Sequence, residues 1–150
     1  MALKIGDKIP CFFNEDNNAV FNWDKYKGKP LVIYFYPKDD TPGCTTQACG
    51  FRDEYETFKE LGAEVIGISG DSNESHEKFA QKYKLPFLLL SDNDKKIRKL
   101  FGVPSNLFGL IPGRVTYVMD KNGIIQFIFN SMSAKNHVQK AKEIIQKMTE

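Results

Sequence analysis

Leu31-Val32-Ile33-Tyr34-Phe35-Tyr36 is an unbroken apolar, β-branched and aromatic run closed on both sides by proline, Pro30 and Pro37. A run of that length between breakers reads as a central strand buried on both faces. It feeds through Lys38-Asp39-Asp40-Thr41-Pro42-Gly43 into Cys44, Ala48, Phe51, Tyr55 and Phe58, which recur at three- and four-residue spacing as the apolar face of a helix over 44–61. A buried strand leading straight into an amphipathic helix commits the chain to layered α/β architecture.

The rest of the chain repeats the alternation. Residues 63–69 and 87–90 read as further strands. Residues 73–83 form a helix behind Asp71-Ser72, which offer N-cap side chains, and 94–101 a short helix ending at Gly102. Strands 115–119 and 124–129 flank Asp120-Lys121-Asn122-Gly123, whose Asn-Gly pair predicts a β-hairpin. Val138, Ala141, Ile144, Ile145 and Met148 give a last helix its apolar stripe. The expected fold is a central mixed sheet with helices on both faces.

At 150 residues the chain is expected to form one domain, 1–150, with a core that needs no disulfide staples. A net charge of +2, with lysines interleaved among acids, gives no footing for nucleic acid or an anionic membrane. No apolar run approaches the ~18–20 residues of a membrane span. Three cysteines are too few for a secreted disulfide framework and fit a reducing compartment. The cytoplasm is expected, or a plastid or other organelle if a transit segment has been removed.

In a reducing compartment a close cysteine pair points to catalysis or metal. Cys44 stands at a helix start, where unpaired N–H groups and the helix dipole stabilise an anion such as the nucleophilic thiolate. Pro37 and Pro42 stiffen the preceding turn, Thr41 offers a hydroxyl, and Gly43 permits close backbone approach. On an intact helix, Cys49 lies about 7.5 Å further along the axis and its Cα roughly 8–9 Å from that of Cys44. A disulfide wants Cα atoms about 4.4–6.8 Å apart. Either the first turns unwind or the pair never bonds. Two buried structural thiols remain the bland alternative. Zinc fits poorly, because Cys-x4-Cys is not a usual ligand spacing and no further ligands cluster nearby.

His76 stands in a polar helix start and His137 near the beginning of the last helix; both read as surface residues, which leaves no base for a protease-like mechanism. Cys11, before Phe12-Phe13, reads as a packed structural thiol. Arg114 opens strand 115–119; if that strand lies beside 31–36, its guanidinium can reach Cys44, stabilise a thiolate and polarise an oxygen leaving group.

Pro37-x3-Thr41-x2-Cys44 resembles the active-site signature of peroxiredoxins, and Cys49 at the fifth position beyond Cys44 resembles the peroxiredoxin Q or bacterioferritin-comigratory-protein subfamily. The likeness runs nearly end to end, through Tyr26-Lys27-Gly28-Lys29-Pro30, Ala48-Cys49-Gly50-Phe51-Arg52-Asp53, Gly67-Ile68-Ser69-Gly70-Asp71, Tyr83-Lys84-Leu85-Pro86-Phe87 and Pro112-Gly113-Arg114. Leu107-Phe108-Gly109 is most like the plant plastid and cyanobacterial branch.

The resemblance implies a thioredoxin-like fold with an N-terminal β extension. It implies that Cys44 attacks peroxide and becomes a sulfenic acid. Thr41 and Arg114 then orient the peroxide and activate the thiolate, and Pro37 shields the pocket. Cys49 resolves the sulfenic acid as an intramolecular disulfide that thioredoxin or a related dithiol protein reduces. No metal, flavin or haem is implied. Gln47 stands where many members carry Glu, and either can accept a hydrogen bond from arginine. The missing Gly-Gly-Leu-Gly motif and Tyr-Phe tail imply a monomer resistant to overoxidation.

The non-enzymatic alternative is a peroxide sensor that relays oxidation to a partner protein by disulfide exchange. A dithiol oxidoreductase is disfavoured by the absence of Cys-x-x-Cys.

Overall fold

The computed structural model describes residues 2–10, 26, 28–106 and 111–149. In chain order its elements are β1 (Leu31–Phe35), α1 (Pro42–Glu60), β2 (Glu64–Ser69), α2 (Asn73–Tyr83), β3 (Leu88–Ser91), α3 (Lys96–Phe101), β4 (Ser105–Asn106), β5 (Ile111–Pro112), β6 (Val115–Met119), β7 (Ile125–Asn130) and α4 (His137–Met148). Five strands form one sheet in the order β3-β2-β1-β6-β7. β1 pairs parallel with β2 and antiparallel with β6, so the sheet changes direction at its buried central strand. β6 and β7 form the antiparallel hairpin expected around Asn122-Gly123.

Strand alternation separates two apolar layers. Leu31, Ile33, Phe35, Ile66, Ile68, Val115, Tyr117 and Met119 pack with Ile97 and Phe101 of α3. Val32, Tyr34, Val65, Leu89 and Val118 pack on the opposite face against Cys44, Ala48, Phe51 and Phe58 of α1, Phe79 of α2, and Ala141 and Ile145 of α4. Helices therefore cover both faces of a mixed sheet, as the order of elements predicts.

Differences from the sequence reading are local. α1 begins at Pro42, two residues before Cys44. α3 begins at Lys96 rather than Asp94, because Lys95 is left-handed at φ 63° and the Asp92 carboxylate accepts from the N–H groups of Ile97 and Arg98, both at 2.9 Å. The short β4–β5 pair is an addition. Gly113 follows β5, and a Cβ there would run into the Pro104 carbonyl oxygen, so only glycine allows this approach just before β6. Of the N-terminal extension, Lys8 forms an antiparallel bridge with Ile124 and Ile9 is buried. Cys11 and Leu107-Phe108-Gly109 lie outside the described residues.

Candidate active site

Thr41 is the extended N-cap of α1, and Pro42 takes the first helical position, where a missing N–H deprives no carbonyl of a partner. The first bond of the helix runs from the Thr45 N–H to the Thr41 carbonyl at 2.8 Å. Cys44 thus sits in the first turn, where N–H groups lack helical acceptors and the positive end of the dipole meets the sulfur. Its side chain faces the sheet with Ala48 and Phe51, and the residue is 1% exposed.

Sheet register supplies the other half of the site. Phe35 pairs with Val115, so the residue preceding β6 lies where the chain leaves β1 for α1. Alternation places Arg114 on the same face as Thr116 and Val118, towards α1 and α4. There the buried guanidinium donates from Nη2 to Cys44 Sγ at 3.3 Å, from Nη1 to Gln47 Oε1 at 2.5 Å and from Nε to the Met132 carbonyl at 3.0 Å. Gln47 is one turn beyond Cys44, so one helix face presents sulfur and amide to the same cation. Gly43 completes the fit: a Cβ there would stand 3.1 Å from Arg114 Nη2.

Pro37 is half-buried two residues after the end of β1. The Thr41 hydroxyl donates to the Lys38 carbonyl at 2.9 Å, an acceptor the sequence reading did not consider. Cys49 is half-buried, and the thiols of Cys44 and Cys49 are both free. α1 is continuous between them, so the roughly 8–9 Å separation of an intact helix applies. Gly50, beside Cys49, is packed on α4, where an added Cβ would meet Val138 Cγ2 at 3.0 Å.

Two expectations need correction. His76 is buried, not a surface residue: its Nε2–H donates to the Leu90 carbonyl at 3.0 Å and its Nδ1 meets Asp39 Oδ2 at 2.7 Å. His137 is fully buried, with Nδ1 2.8 Å from Thr116 Oγ1, Nε2 2.8 Å from the Ser131 carbonyl and its ring edge-on to Phe129. Each histidine stands at a helix start, but each points inward to polar groups brought there by other elements.

Asp39 was not singled out, yet it anchors the turn between β1 and α1. Its carboxylate accepts from Tyr36 Oη at 2.6 Å and Ser75 Oγ at 2.8 Å, and its N–H donates to Asp71 Oδ2 at 2.8 Å. The ligand-type atoms of Asp39, Asp71 and His76 lie within 4.8 Å of one another, but these same protein contacts already engage them. The neighbouring Asp40, at φ 55°, is held by Lys82 Nζ at 2.9 Å and Tyr83 Oη at 3.0 Å, which lower its carboxyl below the usual range. An acid in a turn that must leave a buried strand was the available clue.

Burial is the main cause that pushes the Tyr34 phenol well up. Burial also lowers His137; its bond to Ser131 opposes the shift and the Arg114 cation reinforces it.

A thioredoxin-like mixed sheet that seats a buried sulfur at a helix start, with a guanidinium drawn against it from across the sheet, defines a thiol-based oxidoreductase. The chain belongs to the AhpC/TSA family, whose family model matches residues 5–128. It is 60% identical to "Peroxiredoxin Q, chloroplastic" of Sedum lineare over 140 residues, covering 93% of this chain and 75% of that one. Among solved structures, peroxidoxin BcpB of Mycobacterium tuberculosis matches at 32% identity and a TM-score of 0.88, covering 97% of this chain and 98% of that one. A cysteine-to-serine mutant of Xylella fastidiosa PrxQ matches at 26% identity and a TM-score of 0.87, covering 100% and 99% respectively. The protein is a thiol-dependent peroxidase, an antioxidant oxidoreductase with a thioredoxin-type fold.

Proposed function

We propose that the protein, as a single domain over 1–150, reduces hydrogen peroxide and organic hydroperoxides at Cys44. The thiolate attacks the terminal peroxide oxygen; the O–O bond breaks, and the leaving oxygen takes a proton and departs as water or alcohol. Arg114 holds the thiolate and the developing negative charge on the peroxide oxygens. Thr41, whose hydrogen is directed to Lys38, presents its oxygen as an acceptor for the peroxide proton. Pro37 covers the turn side of the pocket. Cys49 then attacks the Cys44 sulfenic sulfur, water leaves, and thioredoxin reduces the disulfide by exchange. The bond requires the first turns of α1 to open, since the intact helix holds the cysteines too far apart. The protein works as a monomer without metal, flavin or haem. The name of the Sedum lineare relative supports a plastid in preference to the cytoplasm.

The observation that carries this reading is the 3.3 Å approach of Arg114 Nη2 to a buried Cys44 Sγ in the first turn of α1. The test is peroxide consumption with a thioredoxin system. Steady turnover by the native protein and none by Cys44→Ser is expected; near-normal turnover by Cys44→Ser sinks the reading. Reaction once without recycling supports the sensor instead. Mass spectrometry of the oxidised protein should find a Cys44–Cys49 linkage, and a Cys11–Cys44 bond or intermolecular dimer would contradict it.

A further inference from the structure

His137 lies outside the thiol site, yet the backbone connects it to Arg114. β7 ends at Asn130, so the sheet ladder no longer orients the peptides that follow. Arg114 nevertheless depends on two of them. The Ser131 N–H donates to the Arg114 carbonyl at 3.2 Å, and the Met132 carbonyl accepts from Arg114 Nε at 3.0 Å. Between those contacts is the Ser131 carbonyl, and its partner is His137 Nε2 at 2.8 Å. A carbonyl only accepts, so Nε2 carries the hydrogen and Nδ1 takes the Thr116 hydroxyl proton in the neutral ring. Thr116 is on β6, two residues beyond Arg114 on the same face. The imidazole therefore ties the turn after β7 to the strand that Arg114 opens. The other local bonds of this turn, Ser133 N–H to Ser131 Oγ and Lys135 N–H to Ser133 Oγ, are both 3.3 Å and exposed. The His137 bond is shorter, at 2.8 Å, and part-buried.

We propose that His137 is a positioning residue for peroxide reduction: by fixing the Ser131 carbonyl it sets the Met132 carbonyl, which aims the Arg114 guanidinium at Cys44 Sγ. The inference rests on the pairing of Cys44 with Arg114 in the proposed reaction. His137 touches neither peroxide nor sulfur. Its ring packs edge-on against Phe129 at 4.7 Å between centroids, and burial, reinforced by the Arg114 charge, lowers its affinity for a proton. Both features suit a neutral ring locked in one orientation. His137→Gln can again place an amide N–H where Nε2 stands and donate to the Ser131 carbonyl, while losing the acceptor for Thr116. His137→Phe keeps the ring and loses both bonds. His137→Asn reaches Thr116 but not the Ser131 carbonyl.

The test is the rate of Cys44 oxidation by hydrogen peroxide in rapid mixing of reduced protein, with the 240 nm thiolate absorbance followed against pH. His137→Asn should react about tenfold more slowly, the loss expected when one hydrogen bond is removed, and His137→Phe, which loses two, at least as slowly. Their thiolate titration should move, and His137→Gln should restore most of the rate. Arg114→Met should be slower still, and Arg114→Met with His137→Phe no slower than Arg114→Met alone, because the histidine acts through the arginine. If His137→Phe does not fold, His137→Asn against His137→Gln carries the comparison. Full rate in the folded Phe or Asn variant, Gln no better than Asn, or losses that multiply in the double variant overturn the inference. An unchanged Arg114→Met overturns the proposed site and this inference together, whereas unchanged His137 variants beside a slow Arg114→Met overturn this inference alone.

Discussion

Gly43→Ala separates the stability of the helix from the placement of its arginine. Gly43 is the second residue of α1 and is not among the glycines with positive φ, so its backbone accepts alanine. Alanine at a helical position stabilises by roughly 0.5–1 kcal/mol relative to glycine. The new Cβ, however, would stand 3.1 Å from Arg114 Nη2, against 3.4–4 Å for ordinary contact, so a neighbour must give by a few tenths of an ångström. A lone arginine tip would swing away freely, but this one is held by Met132, Gln47 and Cys44 together. The contact most easily stretched is the 3.3 Å bond to Cys44 Sγ, which no backbone strap secures. Hydrogen bonds to a charged group contribute about 1.5–3 kcal/mol, and losing roughly half of that costs about 1 kcal/mol. The rate of Cys44 oxidation should then fall about fivefold. Stopped-flow mixing with hydrogen peroxide measures the rate, and urea unfolding of the reduced protein serves as the control. A native rate in a protein at least as stable as the parent would refute the steric link between Gly43 and the thiolate's partner.

Tyr34 Oη is buried without a hydrogen-bond partner among the described residues, so Tyr34→Phe should raise stability by about 1 kcal/mol, read as a higher urea midpoint; a lower midpoint would contradict the unpaired hydroxyl. His137 binds its proton less readily folded than unfolded, because burial lowers it. Its contribution is therefore present above the unfolded value of about 6.5 and lost as pH falls through the depressed folded value, so stability should drop on acidification and drop less in His137→Gln. Equal slopes in the two proteins would exclude His137 as the source. Formation of the Cys44–Cys49 bond should remove about two turns of helix, roughly seven residues, from the far-ultraviolet circular dichroism. Cys49→Ser should keep that signal after peroxide, and an unchanged signal in fully disulfide-bonded protein would rule out unwinding.

The strands and long helices were legible because each carries its periodicity in contiguous residues; β6 and α2 have the bounds their patterns predict. The start of α1 was harder to place because Pro42 and Gly43 look like turn residues, whereas proline at the first helical position lacks only an N–H that would have no partner there. Arg114 could be brought to Cys44 only on condition that β6 lay beside β1, and the register meets that condition. The histidines were not legible. Each stands at a helix start, and the polar groups that meet them inside come from Asp39, 37 residues from His76, and Thr116, 21 residues from His137. The hydroxyl of Thr41 likewise depends on the curl of its own turn, which brings the Lys38 carbonyl within reach.

The distance of 70 residues between Cys44 and the arginine on its sulfur also bears on how the protein comes into being. Both cysteines of the pair belong to the β1–α1 unit, which a growing chain completes early and which local contacts favour. The guanidinium arrives only when β6 inserts beside β1, a non-local pairing that is closed late because its loop entropy must be met first. Until then the thiol has a helix start but no arginine. The proposed reactive pair is thus a property of the finished sheet, and a nascent or half-folded chain carries its cysteines without the arginine.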